Sequence, residues 1–273
     1  GSGRRSSKRE ASLRSAWHAP RHACLFAAHV VQALTKAQKT PLPKLCVKGH
    51  KPPMTTHAFT LAGAQLTALP SGALYWPQEN LLTVSDLHLG KAERRARLGN
   101  ATLPPYETRD TLSRLELTLR ATGASTVVCL GDSFDDPDAA HALPEEERLW
   151  IKTLQAGRRW VWIEGNHDPG PMDLGGTHLA ELPLSPLTFR HIARPGSSGE
   201  ISGHYHPKAR LSLKGRTIAR PAFLIDSDRV ILPAFGTYTG GLRSSDTALS
   251  TLMRSEALAV LTGHSTHVIP MPR

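Results

Sequence analysis

Three apolar runs, each ending in a cluster of carboxylate, carboxamide or imidazole side chains, constrain this chain more than anything else in it. They are "NLLTVSDLHLG" (80–90), "STVVCLGDSFDD" (125–136) and "RRWVWIEGNHD" (158–168). Between them lie two helical patterns. "ETRDTLSRLELTLRATG" (107–123) places Leu112, Leu115 and Leu119 at helical spacing before Gly123 as a stop. "LPEEERLWIKTLQAG" (143–157) has acids in its first turn, where they oppose the helix dipole. Strand and helix in this alternation predict parallel pairing, with helices covering the sheet. After about residue 183 the pattern shortens to "LTFRHI", "GEISGHYH", "AFLIDSD" and "RVILPAFG", which predicts a second, more antiparallel sheet. The expected fold is α/β: two mixed sheets packed as a sandwich and flanked by helices, in one domain from 54 to 273.

In such sheets ligands bind beyond the carboxyl ends of the strands. Here those ends carry Asp86 and His88, then Asp132, then Asn166, His167 and Asp168, and in the later sheet His191, His204 and His206. At a spacing of two, Asp86 and His88 would leave an extended strand on the same side. Any one such end is more often a loop than a site. Five in order, each just past an apolar run, are not a chance pattern. Carboxylate, carboxamide and imidazole donors suit Mn²⁺, Fe²⁺ or Zn²⁺, and the absence of thiolates argues against a structural zinc site. The glycines Gly131, Gly165 and Gly203 are expected to make tight turns beside the donors.

The set DxH, GD, GNHD, a separate His and GHxH, spanning 86 to 206, resembles the calcineurin-like metallophosphoesterase superfamily. That resemblance implies a four-layer αββα sandwich and two divalent metal ions, Mn²⁺ first, with Zn²⁺ or Fe²⁺ as alternatives. It implies one metal on Asp86, His88, Asp132 and His206, and a second on Asp132, Asn166, His191 and His204, with Asp132 bridging. His191 takes its place as the one histidine in "FRHIARPGSSGEISGHYHP" ahead of His204. By the same resemblance His167 protonates the leaving oxygen, and Asp168 orients His167 by a hydrogen bond. The stretches "SDLHLGKAERRARLGNATLPPYETRDTL", "GHYHPK" and "LPAFGTYTGGL" are similar to the bacterial ligase-associated DNA-damage-response endonucleases (PdeM type). This implies a DNA phosphodiesterase using a two-metal-activated hydroxide, encoded beside a DNA ligase, a helicase and an exonuclease. The rival readings are a phosphoesterase for a nucleotide, cyclic nucleotide, lipid-linked diphosphate or phosphoprotein, and a non-catalytic metal-binding scaffold in a repair complex. The motifs leave strand preference, cutting polarity and oligomeric state open.

Charge bears on the substrate. Residues 1–53 hold eleven Lys or Arg and one acid, so they carry the whole net charge of +10, and the remaining 22 basic and 22 acidic residues cancel. Polyanion binding by the main body must therefore rest on local patches. The candidates are Lys91, Arg94, Arg95 and Arg97 in "GKAERRARLG", with Arg190 and Lys208; the plainer reading of that helix is a solvated face. Aromatics make up 5% of the chain, which gives little support to a base-stacking platform. "GHSTH" (263–267) has the wrong spacing to join the site, so His264 and His267 read as surface residues.

Residues 1–53 are read as sequence outside the domain, with the natural start at Met54. A transit peptide and a disordered basic arm that binds nucleic acid are the alternatives. Cys24, His29, Cys46 and His50 lack the close pair of a zinc finger. Three cysteines make no disulfide framework, and the most apolar stretch, "ACLFAAHVVQAL", is too short to span a bilayer. The expected setting is reducing, cytoplasmic and free of membrane. Removing residues 1–53 is expected to leave folding and turnover unchanged; an insoluble truncation, seen by circular dichroism and gel filtration, would refute this.

Overall fold

In a computed structural model of the chain, the residues described are 55–100, 103–170, 173–213 and 215–273. The readings of residues 1–53, including Cys24, His29, Cys46 and His50, lie outside them. The first sheet has seven strands in the order β1 (His57–Leu61), β2 (Ala64–Ala68), β3 (Leu74–Trp76), β4 (Leu81–Val84), β5 (Thr126–Leu130), β6 (Arg159–Ile163) and β7 (Thr177–Leu179). The strands β4, β5 and β6 run parallel, as the alternation predicts, and β7, which no sequence signal marked, pairs parallel to β6. Between them come α1 (Lys91–Arg97), α2 (Glu107–Thr122), α3 (Pro137–Ala142) and α4 (Glu145–Gln155). Gly123 closes α2 in the left-handed conformation (φ 66°) with its N–H on Leu119, a stop that glycine takes without strain.

The second sheet contains β8 (Glu181–Leu184), β9 (Leu187–Arg190), β10 (Glu200–Ser202), β12 (Arg216–Ile225), β13 (Arg229–Ile231), β14 (Leu258–Leu261) and β15 (His267–Pro270), with β11 (Lys208–Leu213) paired on β12. It departs from the antiparallel expectation at its centre. Strand β10 pairs parallel to both β9 and β13, whereas the other pairs are antiparallel. A parallel crossover normally uses a helix. Here the irregular 191–199 loop makes it, so no helical signal marked it in sequence. The buried Glu200 carboxylate anchors that loop, taking the Arg194 N–H at 2.8 Å and lying 3.0 Å from Arg229, whose guanidinium holds the carbonyls of Arg194 and Ser197.

Alternation along each strand explains why these runs are apolar throughout. On β5, Val128 and Leu130 face the second sheet, while Val127 and Cys129 face α2 and α4. On β12, Phe223 and Ile225 face inward, while Ala222 and Leu224 pack under α5 (Thr247–Leu252). Three cores therefore separate four layers, and each fully buried Leu, Val or Phe contributes about 1.5–3 kcal/mol relative to exposure. Within the first sheet and its helices, burial pushes the Cys129 thiol well above its ordinary pKa. The Cys129 peptide is expected to stay unlabelled by iodoacetamide until the protein is denatured, checked by mass spectrometry; rapid native labelling would contradict this packing.

Candidate metal centre

Strands β4, β5 and β6 of one sheet and β9, β10 and β13 of the other all deliver their carboxyl ends to one edge of the sandwich, and the candidate residues meet there. The local backbone is not the extended strand expected for the first pair. Strand β4 stops at Val84, and Asp86 and His88 both take left-handed conformations (φ 52° and 45°). Their side chains converge through that backbone, not through strand alternation. Asp132, His204 and His206 are left-handed as well (φ 46°, 70° and 46°), so five of the eight non-glycine residues with positive φ among the described ones belong to this cluster. Strain of this kind persists only where surrounding structure enforces it, and it concentrates at functional sites.

Asp132, 2% exposed, lies at the centre. Its Oδ1 accepts the His167 backbone N–H at 2.8 Å, and its Oδ2 lies 3.4 Å from His191 Nε2 and 4.0 Å from His88 Nε2. On one side, Asp86 Oδ1 is 3.2 Å from His206 Nε2, which is 3.3 Å from His88 Nε2. On the other, His191 Nε2 is 2.9 Å from Asn166 Oδ1 and 3.2 Å from His204 Nδ1. Tyr205, between the two histidines of β10's end, packs against the outer core instead.

Electrostatics favour a cation here. Asp86 is completely buried and holds the Ser85 hydroxyl (2.5 Å) and the His204 N–H (3.0 Å). Burial alone would raise its pKa and that of Asp132. Hydrogen bonds and charge from His206 and His191 for Asp86, and from His191 and the His167 N–H for Asp132, bring both below the usual carboxylate range. Among the described residues, the cationic groups within 4.0 Å of these two carboxylates are histidines only. His191 Nδ1 donates to the Leu130 carbonyl at 2.7 Å, which fixes the ring with Nε2 turned to the centre. Two buried carboxylates with ring nitrogens facing each other at 3.2–3.3 Å are a donor set short of positive charge. The donor atoms of Asp86, His88 and His206, and those of Asp132, His191 and His204, each fall within 4.8 Å of one another. The residues therefore fit divalent cations.

Several expectations need correcting. Gly165 and Gly203 do not make left-handed turns; they give room for contact. A Cβ at Gly165 would sit 2.1 Å from the Asp132 nitrogen, and one at Gly203 would strike Ser85. Asp168 does not hydrogen-bond the His167 ring. Its carboxylate accepts the N–H groups of Gly165, Ser133 and Phe134, tying the ends of β5 and β6 together. Burial pushes its pKa up to about 6, against the Phe134 N–H, with the Asp132 charge adding to the rise. The His167 ring is held by the Asp135 carbonyl instead, 2.7 Å from Nδ1.

Asp135 is the residue that sequence reasoning missed. Its Oδ1 is 2.9 Å from His88 Nδ1 and 3.8 Å from Lys91 Nζ, and its Oδ2 takes Arg94 at 3.0 Å. The second acid in "GDSFDD" was the available signal. The close His88 ring and the Arg94 hydrogen bond outweigh burial and bring Asp135 down to about 2.

The basic patch is mostly satisfied internally. Arg94 and Arg97 both clasp Asp136, and Arg97 also reaches Glu93 and Asp138. Arg190, only 11% exposed, is gripped by Glu181 and Glu200, and Lys208 donates to the Thr239 carbonyl; neither is a free phosphate contact. Arg95 differs: among the described residues it has no ion pair, and its Nε is buried without a partner. It lines a cleft of about 510 Å³ with His88, His167, His206 and Gly240. A larger hollow of about 730 Å³ on the other face of α1 holds none of the converging groups. His264 and His267 are exposed and away from the cluster. No helix among the described residues is long and apolar enough to cross a membrane.

The fold and the donor cluster together are those of a metallophosphoesterase. A model of the calcineurin-like phosphoesterases matches residues 80–265, and the chain belongs to that family. Among solved structures it is similar to the crystal structure of Pseudomonas putida nuclease MPE. The two are 28% identical with a TM-score of 0.62, over 79% of this chain and 100% of that one. No curated protein matches it.

Asp135→Ala is expected to lower metal affinity or turnover about 10- to 100-fold, as loss of a residue that supports a ligand does. Metal content and turnover measured side by side check it, and wild-type values in both would remove Asp135 from the site.

Proposed function

We propose that this phosphoesterase is a phosphodiesterase that cuts the DNA backbone with a pair of divalent ions, Mn²⁺ first, in DNA repair. The observation that carries this reading is Asp132 Oδ2 lying between His88 Nε2 and His191 Nε2, one carboxylate oxygen shared by two donor sets. One ion would take Asp86, His88, Asp132 and His206, the other Asp132, Asn166, His191 and His204. Such a pair activates a water nucleophile and neutralises charge on the phosphoryl oxygens.

The chain's own residues supply the rest. His167 has Nδ1 committed to the Asp135 carbonyl, so it would be the imidazolium's second proton, on Nε2, that passes to the leaving oxygen. Asp168 keeps His167 and Asp132 in register by holding the Gly165 and Ser133 backbone. Arg95, without an acidic partner in the cleft, is the group suited to a flanking phosphate. A DNA substrate is supported by that cleft and by the likeness to a nuclease. A repair role beside a DNA ligase, a helicase and an exonuclease rests on the sequence resemblance. A scaffold would not need His167 so placed.

The test crosses Mn²⁺, Zn²⁺, Mg²⁺ and Ni²⁺ with single-stranded DNA, nicked duplex, RNA, a bis-aryl phosphodiester and an aryl monoester. DNA cutting with Mn²⁺ is expected, and preference for the monoester with no DNA cutting would overturn the reading. Asp132→Asn is expected to lower turnover about 100- to 1,000-fold, the scale on which removal of one key charge-stabilising group acts, and to loosen both metals. Near-normal turnover would sink the shared-ligand assignment.

A further inference from the structure

One bulky side chain beside the cleft is held in a strained backbone without serving the core. Tyr238 has φ 59°, in the left-handed region where a large aromatic residue is an outlier, and its side chain is 41% exposed. Its neighbours enforce the strain from both sides. The Thr237 N–H donates to Thr111 Oγ1 at 3.1 Å and the Thr237 hydroxyl to Asp110 at 2.5 Å, both on α2. On the far side Lys208 Nζ holds the Thr239 carbonyl at 3.2 Å, and the Leu242 N–H donates to the Tyr205 carbonyl, between the two histidines. The loop is thus pinned between α2 and the segment that carries His204 and His206.

Gly240 lines the cleft with His88, His167 and His206. Two Cα–Cα steps put Tyr238 within about 7.6 Å of it along the chain. The Tyr238 hydroxyl donates to that of Tyr106, itself 54% exposed, at 2.9 Å, and the two rings are tilted at 57° with centroids 6.1 Å apart. Leu98, 56% exposed, lines the same cleft. Elsewhere aromatics are few, yet two exposed rings stand together where the chain leads into the cleft wall at Gly240. Strain imposed on a ring that stays in solvent points to a ligand, and a ring face beside a phosphodiester site matches the π-face of a nucleobase.

We propose that Tyr238 is a base-stacking residue for the nucleotide next to the scissile phosphate. This rests on the DNA reading above and adds a specificity element to it.

The test is binding of a fluorescein-labelled oligonucleotide in EDTA, read by anisotropy, with an oligonucleotide of abasic sites as the comparison. Tyr238→Gly suits the left-handed backbone, so the fold is kept, and unchanged thermal melting checks this. It is expected to weaken binding of the intact oligonucleotide about 5- to 150-fold, the range of one lost base–aromatic stack. Binding of the abasic strand should change less than twofold, and Tyr238→Phe, which keeps the ring, should restore most of the loss. Equal losses on intact and abasic strands, or no loss on either, would overturn the stacking role. Wild-type protein that binds no oligonucleotide and cuts no DNA would remove the DNA reading itself, a result distinct from failure of the Tyr238 variants alone.

Discussion

The structure depends on one buried carboxylate being approached from two sheets. Asp132 follows β5 in the first sheet, while His191 follows β9 and His204 and His206 follow β10 in the second. For these to meet, both sheets must point parallel strand ends at the same edge. This is why β10 runs parallel to β9 and β13 within a sheet that is otherwise antiparallel. Burying Asp86 and Asp132 costs several kcal/mol per charge unless donors or cations compensate. The backbone N–H groups of His167 and His204 meet part of that cost, and the convergent imidazoles define where cations meet the remainder.

Around this centre the positive charge is arranged locally. The acids Asp135, Asp136 and Asp138 neutralise Arg94 and Arg97 and hold α1 against the loop that follows β5. The start of α2 fixes the other end of the same helix: Glu107 Oε1 accepts the Ala92 N–H at 3.0 Å, and Thr108 accepts that of Gly90 at 2.9 Å. Much of the apparent basic patch is therefore scaffolding that presents His88, His167 and Arg95 to the cleft. Counting Lys and Arg in "GKAERRARLG" overstated what is free to meet a phosphate.

Backbone strain follows the same logic. Five donors in left-handed conformations cannot relax, because Asp168 ties β5 to β6 and the His204 N–H is held by Asp86. Groups fixed in advance need little reorganisation when charge develops at phosphorus. Tyr238 belongs with them by its conformation, although it lies outside the donor cluster.

The chemistry was legible in one dimension. The residue types at the ends of β4, β5, β6, β9 and β10 are ones that can bind a hard or borderline cation, and they stand next to apolar runs long enough to be buried strands. The layers were legible too, since continuous apolar strands demand cover on both faces. What sequence could not carry is anything set by contacts across the chain. The parallel run of β10 depends on an irregular loop anchored by buried Glu200 and Arg229. The partner of the His167 ring is a backbone carbonyl, invisible as a residue type. Whether Arg190, Lys208 or Arg95 is free depends on which acids and carbonyls the fold brings beside them. Side-chain identity determines which groups can bind a metal or a phosphate; only tertiary packing decides which of them are already occupied.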